Sequence, residues 1–284
     1  MASLNRLAVI AALGLTLTSC SVKAHKPLVD PFPLRFPLVE AGTLEIEGHV
    51  VGQPWAQDGI VHYATREGYL TAVVASSRSV LWRCIGPVGA ADTVDPPFPE
   101  GQKRPTLRAE GSRLQAFDGE NKLIWEFAAA GPITVDPAIW SGRIYFGTEN
   151  RRFYCLNAAT GKVKWRRRLQ GAPLHPAVIS GGTVVVAASN SVIYLLSARG
   201  GSILSWETVP SRVVYELAAA GPLVLVSSAS PDVTALDIKT EKRAGQHLAS
   251  GPLVAGAVWS PPYVVVFLED AESGRQRIVF LRSR

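Results

Sequence analysis

The chain has 284 residues, with 29 Lys and Arg against 23 Asp and Glu and a formal charge of +6. At 47% hydrophobic and 18% charged it is too apolar for intrinsic disorder and has enough apolar residues for a sizeable core. The moderate positive charge does not mark a nucleic-acid binder, because no basic stretch carries interleaved aromatics and no zinc-finger spacing occurs.

In chain order, the first predicted element is a leader. Arg6 precedes the apolar run 7–17, which is short for a bilayer span and has the length of a secretory h-region. Leu17-Thr18-Ser19-Cys20 follows directly and resembles the lipobox of bacterial lipoproteins. That resemblance implies a signal peptide over residues 1–19 and lipidation of Cys20. The plainer alternative is an ordinary signal peptide cut nearby, with Cys20 incidental. A lipidated chain is anchored to a membrane without crossing it. Ser21 stands where an aspartate would favour the inner membrane, and by that analogy the expected location is the outer membrane, facing the periplasm. Residues 20–41 hold Pro27, Pro31, Pro33 and Pro37 and are predicted to form an extended tether. Its Leu28, Phe32, Leu34, Phe36 and Leu38 are apolar enough to pack on the domain that follows.

From residue 42 onward the chain repeats. Trp82, Trp125, Trp165 and Trp206 each close a similar phrase, at intervals of 43, 40 and 41 residues. A period near forty signals an array of supersecondary units. In the clearest unit, short apolar runs at 177–179, 183–188, 192–196 and 203–206 are separated by Gly, Asn and Ser. That pattern predicts a four-stranded antiparallel meander, with no helical periodicity. The third run places Ala72, Ala116, Cys155, Leu195 and Ala235 at one position of successive units. Asp118, Asn157, Ser197 and Asp237 then open a turn, where a side-chain oxygen bonds the backbone.

The units are predicted at 51–86, 87–129, 130–171, 172–210, 211–249 and 250–284. The last shows three evident runs, so the strand from Leu44 to His49 is predicted to supply its fourth. A ring left open would expose a sheet edge that invites aggregation. The proline-rich stretch 87–105 reads as a long loop, with a degenerate seventh unit as the alternative. The expected fold is all-β: a single β-propeller of about six four-stranded blades over residues 42–284.

The run Leu156-Asn157-Ala158-Ala159-Thr160-Gly161-Lys162-Val163-Lys164-Trp165 resembles the tryptophan-motif repeat of PQQ-type β-propellers, A-x-D-x-x-T-G-x-x-x-W. The match weakens in the fifth unit, where Gly245 or Gln246 stands in place of tryptophan. The resemblance implies that Trp82, Trp125, Trp165 and Trp206 are structural and pack between blades. Quinoprotein dehydrogenases of this repeat family use a vicinal cysteine pair, and the cysteines here are Cys20, Cys84 and Cys155. No PQQ catalysis and no cofactor are therefore expected, and no disulfide between Cys84 and Cys155, which lie two units apart.

Other chemistry is sparse. His25, His49, His62, His175 and His247 lack metal-ligand spacing, and neither a G-x-S-x-G elbow nor a Walker loop occurs. Asp136 and His175 each precede a proline at the start of a first strand, in equivalent places of neighbouring units, where turn chemistry or a shared channel would each account for them. Arg151, Arg152, Lys164, Arg166, Arg167 and Arg168 form a basic cluster in the third unit. It is read as a docking patch for an acidic partner or phosphorylated lipid head groups, or as a solvated edge that deters sheet pairing.

Two functions follow as expectations. The first is a non-enzymatic, lipid-anchored interaction scaffold. It looks like a lipoprotein subunit of the outer-membrane β-barrel assembly machinery, which implies envelope protein partners, membrane attachment through lipid and no nucleic acid. That subunit is longer, with eight blades, so its partner-binding loops are not carried over. The alternative is a ligand-binding or catalytic propeller that uses its central funnel.

Overall fold

The computed structural model describes residues 34–85 and 104–284, and every regular element in them is a β-strand. The predicted leader, Cys20 and the tether up to residue 33 lie outside the described residues. Strand β1 (Leu38–Glu45) comes first. Blade 1 is β2 (Val50–Gln57), β3 (Ile60–Thr65), β4 (Tyr69–Val74) and β5 (Ser79–Ile85). Blade 2 shows β6 (Thr106–Glu110), β7 (Arg113–Phe117) and β8 (Leu123–Ala128). Blade 3 is β9 (Ala138–Trp140), β10 (Arg143–Gly147), β11 (Arg152–Asn157) and β12 (Val163–Arg168). Blade 4 is β13 (Val178–Ser180), β14 (Thr183–Ala187), β15 (Val192–Ser197) and β16 (Ile203–Thr208). Blade 5 is β17 (Ala218–Ala220), β18 (Leu223–Ser227), β19 (Asp232–Asp237) and β20 (Lys242–Leu248). The last strands are β21 (Leu253–Ser260), β22 (Tyr263–Glu269) and β23 (Gln276–Ser283).

All pairings are antiparallel, and the described strands make six sheets, one per predicted unit. Blade 6 has the order β1-β23-β22-β21, so an N-terminal strand supplies its outer edge. The predicted closing strand from Leu44 to His49 needs correction. The pairing runs over Leu38–Glu45, with Leu38 opposite Ser283 and Glu45 opposite Arg277. The apolar side chains of the expected tether decide this. Leu34 and Leu38 are buried, and Phe36 packs against the cluster that joins blades 5 and 6.

The repeat forms because each sheet is too thin to cover its own faces. The second and third strands are apolar on both faces: Thr183-Val184-Val185-Val186-Ala187 is buried throughout. Such runs need a neighbouring sheet on each side. Five apolar clusters supply this at the junctions of blades 2–3, 3–4, 4–5, 5–6 and 6–1. The turns before the outer strands follow from short polar side chains. Asn157 Oδ1 accepts from the amides of Ala159 and Thr160, and Asp237 Oδ1 from those of Lys239 and Thr240.

Candidate functional site

The outer rim is organised by one recurring lock. A residue with positive φ ends the turn before each outer strand in blades 1 to 5: Arg78, Asn121, Gly161, Gly201 and Glu241. Four residues later stand Trp82, Trp125, Trp165, Ser205 and Gly245. These pair with the equivalent third-strand positions Ala72, Ala116, Cys155, Leu195 and Ala235. Trp125 Nε1 donates to the Ala158 carbonyl at 2.8 Å, and Trp165 Nε1 to that of Ala198 at 3.0 Å, each reaching the following blade. Both indoles are buried. Gly161 and Gly201 lie beneath them, where a Cβ would come within 2.6 and 2.4 Å of ring carbons.

Trp206 does not hold this position. One extra residue separates it from Gly201, compared with the Gly161 to Trp165 spacing. A one-residue slip in a strand sends a side chain to the opposite face. Trp206 therefore pairs with Tyr194, as Arg166 pairs with Tyr154 in blade 3, and it is 62% exposed. Ser205 takes the lock position, and its hydroxyl donates to the Glu241 carbonyl at 2.9 Å. The signal was legible as a count from the glycine of the motif. Trp82 also departs from the interblade expectation. It is 39% exposed and leans on His62 of its own blade at 5.8 Å, while His62 stacks on Trp55 at 4.9 Å. Asn121, not glycine, holds the positive-φ position of the next blade.

The basic cluster divides in two. Arg167 is half-buried and its Nε donates to the Gly201 carbonyl at 2.7 Å, which ties blade 3 to blade 4. Arg143 does the same, donating to the carbonyls of Ala198 and Arg199. Arg151, Lys164, Arg166 and Arg168 are exposed, and Arg152 pairs directly opposite Arg168. Among the described residues, none of these five has a carboxylate within ion-pair distance.

The segments that lead into the inner strands carry the remaining polar groups. The isolated bridges Ile133–Thr148, Pro173–Ala188 and Val213–Ser228 fix their register. In that register Asp136 is equivalent to Glu216, and His175 to Tyr215, so Asp136 and His175 are not equivalent positions. His175 Nε2 lies 3.4 Å from the Val213 carbonyl, and the Tyr215 hydroxyl donates to the Leu253 carbonyl at 2.6 Å. Both contacts reach the following blade. Burial pushes the His175 imidazole below its ordinary value. Burial, and then the charge of Asp136, raise the Glu216 carboxyl. Among the described residues, no group of three or more His, Cys, Asp or Glu could hold a metal ion. Cys84 is exposed and Cys155 buried, both as free thiols.

Comparison with known proteins adds the family. Residues 110–260, just over half of the chain, match the family model described as "Outer membrane protein assembly factor BamB". The protein of that name from Moranella endobia (strain PCIT) is 25% identical over 169 residues, covering 55% of this chain and 43% of the relative. A tetrathionate hydrolase from Acidithiobacillus ferrooxidans is 23% identical over 227 residues, covering 70% of this chain and 44% of that protein. The chain thus spans less than half the length of these curated relatives. The crystal structure of BamB from Moraxella catarrhalis shares the fold with a TM-score of 0.51 at 13% identity, covering 84% of this chain and 78% of that one. Locks, blade order and family match agree: the chain belongs to the BamB family of PQQ-like β-propeller repeat proteins.

Proposed function

We propose that this propeller is a protein-interaction scaffold of the bacterial envelope. It is lipid-anchored through Cys20 to the periplasmic face of the outer membrane and serves β-barrel protein assembly. One observation carries the reading: a BamB-family propeller presents the cations Arg151, Arg152, Lys164, Arg166 and Arg168 on its outer rim without acidic partners among the described residues. Like charges placed opposite one another across a strand pair, as Arg152 and Arg168 are, cost stability. An acidic surface on a partner would relieve that cost. The inner segments, by contrast, use His175 and Tyr215 in bonds between blades.

The test is photo-crosslinking in intact envelopes from probes placed at Arg166 and Arg168. Capture of a barrel-assembly component is the expected outcome, and recovery of none sinks that assignment. A Cys20→Ser variant should move to the soluble fraction; unchanged fractionation refutes the anchor. The second reading, a funnel that binds or converts a small ligand, draws on Asp136 and Glu216 and on the tetrathionate hydrolase relative. A soluble ligand bound at millimolar or tighter affinity, and lost in Glu216→Gln, would favour it.

A further inference from the structure

The slip that moves Trp206 off the lock leaves a large aromatic side chain on the surface at the rim between blades 3 and 4. Beside it opens a cavity of about 270 Å³, with walls that include Val192, Tyr194, Ile203, Trp206, Gln170 and Arg168. Its floor is held in place: the Tyr194 hydroxyl accepts from the Gln170 amide at 3.3 Å. Glu207, the acid next to Trp206, is already committed to Arg243 at 2.6 Å and does not neutralise Arg168. Arg168 in turn stands across the strand pair from Arg152, in a neighbourhood of positive charge.

The size limits the occupant. Small-molecule sites usually enclose about 300–1,000 Å³, and at about 270 Å³ this cavity sits at the lower end, with room for one large side chain. The chemistry limits it further. Val192, Tyr194, Ile203 and Trp206 make the walls largely apolar and aromatic, which suits an apolar side chain. Arg168 offers a charge-assisted fork for a carboxylate. Trp, Tyr and Arg are also the residues that most often dominate protein–protein binding energy.

We propose that this pocket docks an acidic protein segment by one aromatic or large aliphatic side chain, with a neighbouring carboxylate held by Arg168. The inference rests on the scaffold reading and gives the chemistry of its partner. The side chain stacks on Trp206 and covers Ile203 and Val192, which are otherwise open to water. Arg151 and Arg152 extend the positive field along the rim and speed the encounter at low salt.

The test uses the purified chain and a short fluorescent peptide with one phenylalanine between two aspartates, read by polarisation. Two control peptides replace the aspartates with asparagine or the phenylalanine with serine. Binding of the parent peptide, weakened tenfold or more by Trp206→Ala and by Arg168→Ala, is the expected result. Each control peptide should also lose about tenfold. Equal binding by either variant or either control overturns the proposal, as does a parent peptide that does not bind. So does a soluble peptidoglycan fragment that competes at the same site, because it would make the pocket a glycan site. Trp206→Gln, together with an unchanged far-UV spectrum, guards against loss of fold. Peptide binding that holds while envelope crosslinking recovers no assembly component removes the assembly assignment and leaves the pocket standing. The reverse outcome removes only the pocket.

Discussion

Gly201 shows how one residue sets a blade junction. Its φ of +69° disfavours any side chain, and an added Cβ would meet the Trp165 ring at 2.4 Å. Gly201→Ala should cost about 2–4 kcal/mol, the sum of left-handed strain and overpacking. Urea denaturation would measure it. Trp206→Ala should stay within about 0.5 kcal/mol of the parent, as exposed positions do. Equal losses in the two variants would contradict the assignment of lock and surface. Glu216 gives the pH test at this scale. Its carboxyl is raised by burial and by Asp136, so the folded chain holds that proton at a higher pH than the unfolded chain does. The stability tied to that proton is full below the ordinary carboxylate range and is lost as pH rises through the raised value. Glu216→Gln should therefore stabilise the propeller at pH 7.5 and make no difference near pH 3.5. A variant less stable than the parent at pH 7.5 would refute this account.

Among the elements, the N-terminal segment has a role beyond pairing with β23. Blade 5 has Gly245 where blades 1, 2 and 3 have tryptophan. Phe36 fills that place: a Cβ on Gly245 would come within 2.4 Å of its Cβ and 2.3 Å of its Cγ. The segment before β1 thus supplies, from outside blade 5, the aromatic ring that the repeat lacks. Phe36→Ala should cost about 2 kcal/mol, less than the roughly 3–5 kcal/mol of a fully buried phenylalanine. Gly245→Val should displace the ring and cost a similar amount. In the double variant the two losses should fall short of adding, because one contact is removed twice. Strict additivity in denaturation would show that the two residues act apart. The sequence shows Gly245 or Gln246 where a tryptophan is expected, and the apolar character of Phe36. It could not join them, because the residues lie more than two hundred positions apart and only the pairing of β1 with β23 brings them together.

Across the whole molecule, the junctions are unequal. Apolar clusters join five neighbouring pairs of blades, and among the described residues none joins blade 1 to blade 2. Where blade 3 presents the stacked pair Phe146 and Tyr154 towards blade 2, the register of blade 2 places Arg108 and Gln115. Arg108 lies over the Phe117 ring, and Gln115 donates to Glu126. Local stability follows buried apolar contact. Amide hydrogen exchange should therefore be faster in β5 to β8 than in β14, β18 and β22, as read by mass spectrometry. Uniform protection would contradict the unequal junctions. The thiols give a second readout: Cys84 should alkylate in the native state, and Cys155 only on global unfolding.

The amino-acid sequence alone determined the all-β class, the units that the described residues form, the turns and the existence of an N-terminal strand beside the C-terminal ones. Those features depend on local chemistry: alternating apolar runs, Asp and Asn at turn starts, glycine at positive φ. The tertiary structure decided which residues of β1 and β23 pair, that Phe36 stands in for a tryptophan, and that Arg167 and Arg143 hold blades while, among the described residues, Arg151, Arg152, Lys164, Arg166 and Arg168 have no acidic partner. It also decided the face on which Trp206 lies. The physical reason is the two-residue period of a strand: one extra residue leaves composition and repeat length almost unchanged, yet it exchanges the buried face of a sheet for the exposed one.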